Sequence, residues 1–290
     1  LIIHSLQNED KRVKEIGIPY PAEYMARLIN AVTGAYLLGF DVIRVHGRER
    51  ITYDDREMIK KAIRQLVGLE IVEEDASSIT AQFLLEPTTL DPEKILRRMH
   101  MITNGMHRDA ITSLLESDMH LMRIVIERDD EVDRLYFLLV RLIRSAVQDA
   151  RLASRFRLSS IDCLDYRVAA NVIEAIGDVS VEVAKVAAIL PSSTLDEDIT
   201  DILKSTRDLT ERMQEASVKA FLTRGAEEAK EVLEIFGRLT AGFGKLEALA
   251  SKKPPHIASS LLGLSASMSR IARYSIDIAD LAIPMYPILR

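Results

Sequence analysis

Hydrophobic positions along the chain follow two rhythms. Up to about residue 88 they come in short runs separated by turn signals; from Asp91 onward they recur every three or four residues. In the first stretch, Asp41 to His46 (DVIRVH), Leu69 to Glu73 and Ser78 to Leu84 read as short strands. Helices are expected from Ala22 to Leu38, led in by Pro19 and Pro21, and from Thr52 to Val67, where Thr52 and Asp55 form a capping pattern. Gly39 and Gly68 stand where those helices must stop. Residues 1 to 10 read as a strand running into a polar linker. Together these elements predict a small α/β unit over residues 1–88, short for an independent domain and expected to lean on the helices C-terminal to it.

Six helices of similar length account for the rest. Asp91 as N-cap with Pro92 behind it starts one that runs to about Ser117. The second spans Asp118 to about Arg151, and the third, after a basic connection (RLASRFRLSS), spans Ser159 to Leu190. Pro191 breaks the chain, and Thr194 with Glu197 matches a capping box for a helix to about Thr223. Gly225 turns the chain into a fifth helix reaching Ala250, and Pro254 and Pro255 open the last, His256 to about Ala282. Two sets of three, over residues 89–190 and 191–290, predict a mainly α fold: two three-helix repeats forming a six-helix bundle behind the α/β segment.

Within the second helix, Met119, Met122, Ile126, Tyr136, Val140, Ile143 and Val147 form an apolar seam into which Asp129 and Asp133 intrude. An unpaired carboxylate bound for a packed face costs several kcal/mol of desolvation, so this pair belongs at the seam's border or beside a cation. About forty residues on, Glu174 and Asp178 repeat the spacing. A spacing of four puts both members of each pair on one helix face. If the two helices lie antiparallel, all four carboxylates converge and raise one another's pKa values unless a metal ion intervenes. The plainer reading is a solvated acidic face: with 44 acidic residues in 290, chance supplies roughly six or seven such pairs. Glu174 and Asp178 also lie off their own helix's apolar stripe, Ala169, Val172, Ile176, Val179, Val183, Val186 and Leu190.

Composition narrows the function classes. Aromatic residues are 5% of the chain, with no Trp, while hydrophobic residues are 48% and charged residues 28%, as in a helical globular protein. A net charge of -6 argues against gripping a duplex by its phosphates. The single Cys163 forms no internal disulfide and has no partner for a zinc site, which fits a reduced, cytoplasmic setting. No apolar run is long enough to span a bilayer, so no membrane insertion is expected. The opening LIIHSLQNEDK has neither Met nor a signal pattern and reads as the continuation of a longer polypeptide. His100 and His107, seven apart, are read as packing or surface residues, and Arg97, Arg98 and Arg108 as a solvated face or a contact for an acidic partner. No phosphate-binding loop, nucleophile elbow, zinc-protease motif or Glu-x-x-His pair is present, so the chain is not expected to be an enzyme.

The strings ERDDEVDRL at 127–135, NVIEAIGDVSVEVAK at 171–185 and SMSRIARYSIDIADLA at 267–282 resemble the repeated motifs of the PhoU family of phosphate-signalling regulators. The segments AYLLGFDVIRV, IRQLVGLEIVEED and LRRMHMITNGMHRDAI resemble archaeal members that carry an AbrB-like DNA-binding hairpin upstream. The resemblance runs from about Ala35 to the C-terminus and is firmest from Asp91. It implies two three-helix repeats and a regulator of phosphate uptake and signalling that works by protein contact. The implied partners are a phosphate transporter's ATPase subunit or a signalling protein, and the implied assembly is a homodimer.

It also implies metal ligation at Asp129, Asp133, Glu174 and Asp178. With oxygen donors alone, a hard divalent or iron cation (Mg, Mn, Ca or Fe) is favoured over structural zinc. The second set departs from the family pattern: Ser269, Arg273, Phe236 and Thr240 stand where its acidic pairs would fall, so one metal site is expected rather than two. The small-residue helix at 257–272 is expected to support self-association. Two alternative functions remain: a transcriptional regulator whose bundle dimerises or senses while a missing upstream domain binds DNA, and a carboxylate-bridged metal hydrolase.

Overall fold

A computed structural model describes residues 13–282; the strand expected within residues 1–10 lies outside them. The chain divides into two compact units, one from Leu1–Leu90 with Val140–Phe156, the other from Asp91–Leu139 with Arg157–Arg290.

The first unit is a four-stranded sheet with helices. β1 (Glu15–Tyr20) leads into α1 (Met25–Leu37), then β2 (Val42–Gly47), α2 (Tyr53–Arg64), β3 (Leu69–Glu74) and β4 (Ser78–Phe83). Strand order is β1-β2-β4-β3, with β1 parallel to β2 and the other pairs antiparallel. β1 is not among the expected elements, because Gly17 and Pro19 argue against a strand. An edge position tolerates both, and the alternation survives, with Ile18 and Tyr20 buried and Gly17 and Pro19 exposed. The Thr52 hydroxyl accepts from the Asp55 backbone N–H at 3.2 Å as the capping pattern requires, and Gly39 and Gly68 take φ of 83° and 80° beyond the helix ends. Arg141 is 3% exposed in the interior of this unit. Its guanidinium donates to the Tyr36 and Phe40 carbonyls at 2.7 and 2.9 Å and lies 3.9 Å over the Phe83 ring.

The second unit is the bundle. α3 (Pro92–Glu116), α4 (Met119–Gln148), α6 (Ser160–Val186), α7 (Glu197–Thr223), α8 (Ala226–Ala250) and α9 (Pro255–Asp280) are its six long helices, α4 contributing residues up to Leu139. Asp91 caps α3 by accepting from the Glu93 and Lys94 backbone N–H groups, and Ser159 with Asp162 forms a reciprocal capping box on α6. α7 corrects an expectation: its cap is Asp196, accepting from Ile199 N at 3.1 Å, while Thr194 closes a short 3-10 turn, Ser192–Thr194. The basic connection after α4 holds one more short helix, α5 (Ala150–Phe156).

The apolar seam of α4 departs in part from the expected one. Met122, Val140 and Ile143 are buried as expected, Met119 and Val147 are exposed, and Val125, Val132, Leu139 and Ala146, at heptad spacing, are buried beside them. On α9, Leu261, Leu264, Ser265, Met268, Ile271 and Ala272 are buried in the bundle, so the 257–272 helix turns its apolar face to the core. Arg97, Arg98 and Arg108 pair internally, with Glu93, Glu131 and Glu211.

Candidate functional site

The four carboxylates singled out from the sequence meet where α4 passes α6. The two helices run antiparallel: the Tyr136 hydroxyl of α4 donates to Asn171 of α6 at 3.3 Å, and two turns away Asp129 of α4 lies against Gly177 of α6. That register sets Asp133 opposite Glu174 and Asp129 opposite Asp178. Gly177 makes the approach possible: a β-carbon there would stand 3.3 Å from the Asp129 carboxylate, 3.4 Å from the Thr103 methyl and 3.6 Å from Val132.

α6 is buried around most of its circumference, with Ile173, Gly177, Ser180, Val181 and Ala184 interior beside the expected stripe. Glu174 is therefore partly buried rather than on an open face, as are Asp129 and Asp133; Asp178 is exposed at the rim.

The electrostatics follow from the placement. Burial first, then the charges of Asp133, Asp178 and Asp130, push the Asp129 carboxyl up to about 6. Glu174 is pushed up to about 7 by burial and by Asp178, Asp133 and Asp129, and Asp133 is raised by burial, Asp178 and Asp130. Lys185 acts on Asp129 and Arg167 on Glu174 in the opposite sense, without offsetting the rise. Negative charge therefore accumulates faster than the protein's own cations balance it.

Four carboxylates with oxygen donors only suit a hard cation. Among the described residues, however, no three acidic, His or Cys side chains stand close enough around one point to hold an ion without moving. The donor chemistry suits a hard cation, while the side-chain positions do not form a ready coordination site.

Asp130, Lys185 and Gly177 are participants that spacing alone does not indicate. Gly177 has a signal of its own, an isolated glycine inside a strongly periodic helix. His107 proves wholly buried on α3, with neither ring nitrogen hydrogen-bonded among the described residues, which fits a packing role. No described helix is long and apolar enough to cross a membrane.

Residues 96–187, which run from the second turn of α3 to the end of α6, match a family described as the PhoU domain. A search of curated proteins found no match. Among solved structures, PhoU from Pseudomonas aeruginosa superposes with a TM-score of 0.56 at 19% identity, covering 66% of this chain and 93% of that one. The phosphate transport system regulatory protein PhoU from Streptococcus pneumoniae superposes with a TM-score of 0.57 at 16% identity, covering 66% and 91%. The bundle thus has the fold of solved PhoU proteins, and the segment that carries all four carboxylates, residues 96–187, is the one that matches the PhoU domain.

Proposed function

We propose that the chain is a PhoU-type regulator of phosphate uptake and phosphate signalling that acts by protein contact rather than by catalysis. The observation that carries this reading is the PhoU domain at residues 96–187 set in a six-helix bundle of PhoU fold. The site's make-up supports it. Three of the carboxylates hold their protons above the ordinary range through burial and mutual repulsion, which suits a cation-responsive joint between two helices.

The partner is the ATPase subunit of a phosphate transporter or a signalling protein. A Mg, Mn, Ca or Fe ion held by Asp129, Asp133, Glu174 and Asp178 relieves their mutual repulsion and sets the spacing of α4 and α6. Capture of partners from the native host grown with high and low phosphate tests the contact: co-purification of a transporter ATPase that changes between the two conditions is expected, and recovery of neither a transporter nor a signalling component in both conditions contradicts it. Elemental analysis tests the ion: Asp129→Asn with Asp133→Asn is expected to lose most of the metal that the unmodified chain carries, and equal metal contents remove these residues as ligands.

A further inference from the structure

Counted from the first residue of each helix, the two three-helix sets can be set side by side, and the comparison exposes a second location of opposite charge. Asp129 and Asp133 are the eleventh and fifteenth residues of α4; Phe236 and Thr240 hold those places in α8. Glu174 and Asp178 are the fifteenth and nineteenth of α6; Ser269 and Arg273 hold those places in α9. The location that gathers four carboxylates in one set therefore carries an aromatic ring, two hydroxyls and a guanidinium in the other.

An open cleft of about 380 Å³ lies at two of these positions, lined by Phe236, Arg270, Arg273, Tyr274, Ile276 and Asp277. Arg270, Arg273, Tyr274 and Asp277 recur at three- and four-residue spacing on α9 and so form one face. Phe236 and Tyr274 are partly buried, and Arg273 is an exposed residue.

The two arginines are not equivalent. Arg270 is tied to Glu182 of α6, which also accepts from Ser267. Arg273 makes no hydrogen bond or ion pair among the described residues; the carboxylate that acts on it is Asp277, one turn on. A guanidinium whose donors have no partner among the described residues matches the planar fork of a phosphate or carboxylate oxyanion. The volume lies within the range of small-molecule sites and exceeds what an inorganic anion fills, and three of the six lining residues, Phe236, Tyr274 and Ile276, offer apolar surface. Rings beside a guanidinium suit a planar body attached to the anion.

The geometry points to this cleft as a binding site for an organic phosphate that carries a planar ring, its phosphate on Arg273 and its ring against Phe236 and Tyr274. Asp277 competes with the phosphate for Arg273, so removing the Asp277 charge strengthens binding. The site stands on the helix correspondence and the cleft, and does not depend on the phosphate-uptake reading.

Titration calorimetry of the whole chain in metal-free buffer tests it, with AMP as the probe and adenosine and inorganic phosphate as the separated halves. AMP is expected to bind, with either half at least about tenfold weaker. Arg273→Gln, a change at an exposed position, is expected to weaken AMP about tenfold, and Asp277→Asn to tighten it a few fold. No AMP binding at millimolar concentration overturns the site. Undiminished binding by Arg273→Gln places the ligand elsewhere and overturns it equally, and inorganic phosphate binding as tightly as AMP overturns the ligand class.

Discussion

Single residues carry the opposing titrations of this protein. In the folded metal-free chain Asp129 and Glu174 keep their protons to about 6 and about 7, against ordinary values of 3.8 and 4.5. Between those limits the native state binds more protons than the unfolded chain, so this site costs stability progressively as pH rises and levels off above about 7. His107 acts in the other sense. Burial, with Arg207 nearby, lowers its pKa from 6.5 to about 4, so the unfolded chain takes up a proton first and stability falls as pH drops through that window. In EDTA, Asp129→Asn with Glu174→Gln is expected to raise the melting temperature more at pH 8 than at pH 5. His107→Leu, which removes two buried nitrogens without hydrogen-bond partners, is expected to raise it more at pH 5 than at pH 8. Thermal melting at the two pH values reads both, and a pH-independent effect of either variant contradicts the assignment. Gly177→Ala crowds the Asp129 carboxylate from 3.3 Å and is expected to lower metal content in elemental analysis without removing a ligand.

Among the elements, the long helices were legible because their stripes recur over 25 or more residues and their ends carry strong signals. Asp91, Ser159, Gly225 and Pro254 mark boundaries that the structure places within a residue or two. Elsewhere two local signals compete. Thr194 and Asp196 are both good caps, and the one three residues before Ile199 takes the free N–H. Pro19 hides β1, because a sequence does not reveal which strand stands at a sheet edge. The α4 seam is ambiguous because Met119, Ile126 and Tyr136 resemble Val125, Val132 and Leu139 in hydrophobicity, and only neighbouring helices decide which set is interior.

Arg141 gives no sign in the sequence, since one arginine in a run of apolar residues looks like an ordinary solvated position. Its removal takes the Arg141 donor from the Phe40 carbonyl and one of two donors from the Tyr36 carbonyl, which keeps the Gly39 backbone N–H at 3.0 Å. Arg141→Ala is expected to cost about 3 kcal/mol in denaturant unfolding of that unit; a change below about 1 kcal/mol means that desolvation of the guanidinium cancels its bonds.

For the molecule as a whole, spacing alone proposes the acidic pairs on α4 and α6, and chance alone explains such pairs as well. What a sequence does not contain is the antiparallel register that sets Asp133 opposite Glu174, nor the depth to which α6 sinks among its neighbours. Those two facts raise the carboxyl pKa values. The six-helix bundle carries a carboxylate cluster on α4 and α6, and a guanidinium at the corresponding helix position of α9.

If the bundle restrains phosphate uptake through its carboxylate site, labelled-phosphate uptake in the native host reads that restraint. The gene is deleted, then restored as the unmodified chain or as the Asp129→Asn, Asp133→Asn variant. Uptake that stays high in phosphate-replete deletion cells, falls on restoring the unmodified chain and falls less with the double variant is the expected result. Uptake identical in deleted and undeleted cells contradicts it.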